Sequence, residues 1–116
     1  MGLDFNHSEA HWSYGGFMKF RKRLARLDGL GDLMDYDGYG GTKEFPDIPM
    51  RDFYDHSDCD GELTPDQMRI ILPRFRELIK MMEEENIEDD WDVESATILA
   101  DDMECCIDEN EPMVFC

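Results

Sequence analysis

The sequence predicts a compact, mainly α-helical single domain over residues 1–116. Three helices are expected, the second kinked, with loop-rich stretches and room for a short strand. Three observations carry this reading. Apolar residues recur at three- and four-residue spacing in three separate stretches. Those stretches are bounded by helix-start or helix-stop residues. A chain of 116 residues that is 41% hydrophobic can build one modest core, with little left for a deep cleft.

Residues 1–12 are polar with scattered Phe5, His7, His11 and Trp12. A first helix is expected from Ser13 to Asp28. Phe17, Phe20, Leu24 and Leu27 fall on one face, Lys19, Arg21, Lys22, Arg23 and Arg26 on the others, and Gly29 and Gly31 stop it. Residues 29–54 interleave Gly38, Gly40 and Gly41 with Tyr36 and Tyr39 before Pro46 and Pro49, which reads as an ordered loop.

The second helix has the clearest start. Thr64 stands at the N-cap, Pro65 at the first helical position and Gln67 two further on, which makes a capping box. Met68, Ile71, Leu72, Phe75, Leu78, Ile79 and Met82 form its apolar stripe. Pro73 removes a backbone hydrogen bond and is expected to kink or split it. A third helix is expected over Asp92–Asp108 with a stripe of Val93, Ala96, Ala100, Met103 and Ile107. The apolar tail Glu111–Cys116 should dock, as an edge strand for instance.

Charge is the outlier. There are 29 Asp+Glu against 11 Lys+Arg, a formal net charge of −18. Beyond Lys80 there is no Lys, Arg or His at all, while 14 acids follow. A general solubility bias would spread along the chain; this asymmetry points to a local electrostatic purpose. Such a charge repels nucleic acid and anionic membranes and favours basic protein surfaces or cations. The N-terminus lacks a basic stretch followed by an apolar one, His7 stands where a myristoylation motif needs Ser or Thr, and no apolar run is long enough for a membrane. A cytoplasmic protein without membrane partners is expected, with cysteines as thiols or metal ligands rather than disulfides.

Asp55–Thr64 invites a calcium reading. With Gly61 at the sixth place of an EF-hand loop, Asp58 and Asp60 take places three and five. His56 at place one and Gln67 at place twelve then lack the required acids. The plainer reading is a turn in which Gly61 takes a positive φ and feeds the capped helix. His56 and Cys59, three residues apart, can share one Zn²⁺. Further ligands could come from His7, His11, Cys105, Cys106 or Cys116. The preferred set is His7, His56, Cys59 and Cys116, a structural zinc staple for a small core; buried free cysteines are the alternative. A small metalloenzyme or a thiol enzyme built on Cys59 and a histidine is the third possibility. No oxyanion-hole signature accompanies it, and the surrounding acids disfavour a thiolate.

The acidic third carries the strongest functional signal. Carboxylates at Glu83, Glu84, Glu85, Glu88, Asp89, Asp90, Asp101, Asp102 and Glu104, fixed on or beside helices, can imitate a row of phosphates. They would engage the basic groove of a protein that binds nucleic acid; the alternative is a solvated face. The basic stripe of the first helix is expected to pair with these acids or lie in solvent, not to bind nucleic acid directly.

Four strings, Gly2-x-Asp4-Phe5-x-His7, Trp12-Ser13-Tyr14-x-Gly16-Phe17, His56–Pro65 and Glu111-Pro112-x-x-Phe115-Cys116, cover about a third of the chain. They resemble small acidic proteins of unknown or inhibitory role encoded by phages and mobile elements of Gram-positive bacteria. Type II-A anti-CRISPR inhibitors, metal-containing ones included, are among these. The resemblance implies a non-catalytic inhibitor that binds an RNA-guided effector nuclease and blocks DNA loading. It also favours metal ligands among His7, His56, Cys59 and Cys116.

Overall fold

The computed structural model describes residues 3–5, 8–37, 39–55 and 61–115. Among these, strands β1 (Leu3–Phe5) and β2 (Ser8–Trp12) precede helix α1 (Tyr14–Leu27). A 3-10 turn (Leu33–Asp35) and a four-residue helix α2 (Arg51–Tyr54) follow. Strand β3 (Glu62–Leu63), the long helices α3 (Pro65–Glu84) and α4 (Trp91–Glu109), and strand β4 (Met113–Val114) complete the order. The protein is mainly helical and forms one domain.

The expected helix boundaries hold closely. The Ser13 hydroxyl accepts from the Gly16 N–H at 3.0 Å and caps α1. Gly29 takes φ +86° just past the end of α1, a conformation that favours glycine. At α3 both halves of the capping box form. The Thr64 N–H donates to Gln67 Oε1 at 2.9 Å, and the Gln67 N–H donates to Thr64 Oγ1 at 3.2 Å. Pro73 sits inside one continuous helix and does not split it. The whole α3 stripe from Met68 to Met82 is buried.

Two features go beyond the sequence reading. Strands β1 and β2 form an antiparallel pair, with Leu3 opposite Trp12 and Phe5 opposite Ser8. Segment 29–54 contains the fourth helix, α2, besides the 3-10 turn and a single bridge between Tyr36 and Lys43. The close approach of residues 35 and 41 there requires glycine. A Cβ on Gly41 would stand 2.1 Å from the Asp35 backbone carbonyl. The apolar tail docks as expected, its strand β4 antiparallel to β3 with Leu63 opposite Met113.

The core is aromatic at its centre. Trp12 stacks on Phe20 with ring centroids 4.5 Å apart. Phe5 meets Phe115 edge-on at 4.8 Å. Phe17, Phe20, Phe53 and Phe75 fill the space between. Arg21 is buried among them. Its guanidinium lies over the rings of Phe17 and Tyr39 and donates to the Phe53 and Tyr54 carbonyls. Next to it Tyr54 donates its hydroxyl to Asp28, which also receives Arg74 at 2.7 Å. Burial, and then the Asp28 charge, push the Tyr54 phenol far above its ordinary value, so it stays protonated and ties α2 to the end of α1.

Candidate partner-binding surface

Helices α3 and α4 form a helical hairpin, and most of the C-terminal acids decorate it. The structure sorts these acids by the arginines that reach them. Arg23, on α1, donates to Glu85 at 2.9 Å, to Asp90 through two bonds at 2.9 and 2.8 Å, and to Asp92 at 3.3 Å. Its side chain and that of Asp90 are each only 12% exposed. Arg26 adds a bond to Glu85 at 3.1 Å. The forked, hydrogen-bonded geometry makes this a clamp between α1 and the α3–α4 turn. Arg23 holds the Asp90 carboxyl below the ordinary carboxylate range; Arg26, and then Arg23, do the same for Glu85. Trp12 reinforces the clamp by donating its indole N–H to Asp92 at 3.1 Å.

A second group is bridged at the surface. Arg76 of α3 reaches Asp101 at 3.2 Å and Glu104 at 3.3 Å, but both carboxylates stay more than 60% exposed. Such pairs are worth little and remain available to a partner. The third group is open. The side chains of Glu83, Glu84, Glu88, Asp89, Glu94, Asp102, Asp108 and Glu109 have no ion-pair partner among the described residues. Glu94, Asp101 and Asp108 recur at seven-residue spacing and so lie along one exposed side of α4. Of the nine acids singled out in sequence, the structure places Glu85 and Asp90 inside the clamp and the other seven at the surface.

At the α3–α4 turn two apolar side chains interrupt this acidic surface, and the sequence reading passed over both. Trp91 and Ile87 are each 54% exposed. They line a groove of about 440 Å³ between the α3–α4 turn and α1, together with Lys19, Arg23, Arg26, Glu85, Asp89, Asp90 and Asp92. Trp91 is fixed there, because its indole N–H donates to the His11 carbonyl at 2.9 Å. Trp91 and Trp12 look alike in sequence, yet one is exposed and the other is 2% exposed in the core. The alternation of Ala10 and Trp12 along β2 was the available signal for the buried one.

The expected metal ligands His7, His56, Cys59 and Cys116 lie outside the described residues. Their described neighbours in the chain come together, however. Phe5 bridges to Phe115, and the Phe115 N–H donates to the Gly61 carbonyl at 2.9 Å. Gly61 takes φ +90°, as expected for the turn that feeds α3. Gln67, place twelve of the calcium reading, spends its side chain on the capping box and on Asp52. Among the described residues no three His, Cys, Asp or Glu side chains are grouped to hold a metal. Cys105 is exposed and Cys106 buried, as neighbours about 100° apart on a helix should be. Burial, and then Asp102, push the Cys106 thiol upward, away from the reactive thiolate. No described helix is long and apolar enough to cross a membrane. No protein-family model, no curated protein and no solved structure matches this chain.

Proposed function

We propose that this protein is a non-catalytic inhibitor that works by occupying a basic nucleic-acid-binding region of another protein. A CRISPR effector nuclease is the leading partner, as for a phage-encoded anti-CRISPR acting in the bacterial cytoplasm and blocking DNA loading. One observation carries this reading: carboxylates without cation partners stand on two rigid, packed helices. Rigidity lowers the ordering cost of binding, and a cationic groove that accepts such a surface releases the counterions it would release to DNA. The clamp supports the same view, because it takes Arg23 and Arg26 out of the basic stripe that would otherwise attract nucleic acid, and burial takes Arg21.

A structural zinc ion held by His7, His56, Cys59 and Cys116 belongs to this proposal. Its support is the meeting of Phe5, Gly61 and Phe115, which brings the chain neighbours of three of the four ligands to one place. Imidazole and thiolate donors suit Zn²⁺ and serve calcium poorly. Native mass spectrometry should find one Zn²⁺ per chain, lost in Cys59→Ser; a metal-free, monodisperse protein would remove the zinc from the reading.

The function is tested by competition. A guide-loaded type II-A effector nuclease is mixed with labelled target DNA and rising amounts of the protein. DNA binding should fall, less so as salt rises. The triple variant Asp101→Lys, Glu104→Lys, Asp108→Lys should lose roughly tenfold or more in potency. Wild-type protein that leaves DNA binding untouched at low salt overturns the assignment to this partner.

A further inference from the structure

We infer that the α3–α4 turn is the anchor of this binding surface, and that it receives an arginine side chain of the protein partner on the exposed face of Trp91. The inference rests on the proposed inhibitory reading and adds the chemistry of the contact.

The argument begins with what Trp91 has left to offer. Its single polar group is already spent on the His11 carbonyl, so what remains exposed is the apolar, electron-rich ring. No described aromatic ring or cation stacks on that ring. The tether also pre-orients it, which reduces the entropy lost on binding. Exposed Ile87 shares the groove and adds an apolar wall for an aliphatic stem.

Charge selects the occupant. Asp89 lines the groove and has no ion-pair partner among the described residues. Glu94, likewise open, lies three residues beyond Trp91 and so beside it on the surface of α4. A tryptophan face flanked by two unpaired carboxylates suits a guanidinium, which stacks flat on the ring while its N–H groups reach the acids. An ammonium is more strongly hydrated and cannot stack in this way. The turn is also held in shape. Asn86 and Asp89 both adopt left-handed conformations, with φ +55° and +53°, and Arg23 clamps the adjoining acids. One feature opposes the occupant: Lys19, on the α1 wall, is the cation of the groove that the clamp leaves over.

The test titrates the full-length protein with hexa-arginine and hexa-lysine peptides by calorimetry, following tryptophan fluorescence in parallel. Hexa-arginine should bind at least about fivefold more tightly than hexa-lysine. Trp91→Ala should abolish that preference, and Trp91→Phe, which keeps a ring, should retain part of it. Lys19→Glu should strengthen both peptides. The triple reversal of Asp101, Glu104 and Asp108 should weaken both peptides alike and leave the preference intact. Equal affinity for the two peptides overturns the inference, as does a preference that survives Trp91→Ala. It also falls if sedimentation shows a dimer that Trp91→Ala dissociates, or if single-stranded DNA binds at Trp91 as well as hexa-arginine does. An arginine preference in a protein that fails to compete on the nuclease leaves this inference standing and removes only the proposed function.

Discussion

Asp90 and Asp108 carry the same charge and stand at opposite ends of α4, yet they belong to different parts of the molecule's physics. Asp90 is nearly enclosed and receives two hydrogen bonds from Arg23. Asp108 projects into solvent and has no cation near it among the described residues. The α3–α4 turn thus commits Glu85, Asp90 and Asp92 to holding the fold, while the open acids beside them and along α4 are left for something else to neutralise. Removing a clamped acid should chiefly cost stability; removing an open acid should chiefly cost binding.

The largest effect is expected at the hub of the clamp. Arg23→Met would leave Glu85, Asp90 and Asp92 crowded without their shared cation, costing about 2–3 kcal/mol. Urea unfolding should show a lower midpoint with an unchanged slope. Asp90→Asn should cost less, about 1 kcal/mol, because Arg23 keeps its bonds to Glu85 and Asp92. A variant at Arg23 as stable as the wild type would dissolve the distinction between the two regions.

Acid should erase the same distinction. The Asp90 and Glu85 carboxyls are held below their ordinary range, so their contribution is fully present above the unfolded-state values and is lost as pH falls through the lower folded ones. The stability gap between wild type and Arg23→Met should therefore be widest near neutrality and close toward pH 2–3. Comparing the two proteins at each pH cancels the relief of overall repulsion, which acts on both. A gap that does not narrow in acid would mean that Arg23 stabilises by packing alone.

The smallest effect is expected at the open acids. Glu94→Lys with Asp108→Lys should change stability by no more than about 0.5 kcal/mol, with a slight gain at low salt, since each change reduces the repulsion of a strongly negative chain. A loss beyond 1 kcal/mol would place these acids in the clamped class.

Much of this architecture was legible before folding. The capping box at Thr64, the stripes of α1 and α3 and the docking tail are patterns within one short segment, where neighbouring residues report on each other. The pairing of acids with bases was legible only as a possibility. Arg23 and Asp90 stand 67 residues apart, and nothing local at either position names the other. The exposure of Trp91 was hidden for the same reason, because the β-strand pair that takes its N–H lies eighty residues away. Segment 29–54 resisted reading because its order comes from single contacts, such as the stacking of Tyr36 on Phe45 at 4.8 Å, rather than from any repeating pattern.

The sequence by itself determined a small helical domain, the caps and faces of its long helices, and a surplus of negative charge confined to its last third. The tertiary structure decided which of those charges are neutralised within the protein and which remain for a partner. Charge content is a property of composition, but the energy of a charge depends on what lies within a few ångströms and how much water is excluded there. Only the packing of α1 against the α3–α4 turn sets those distances.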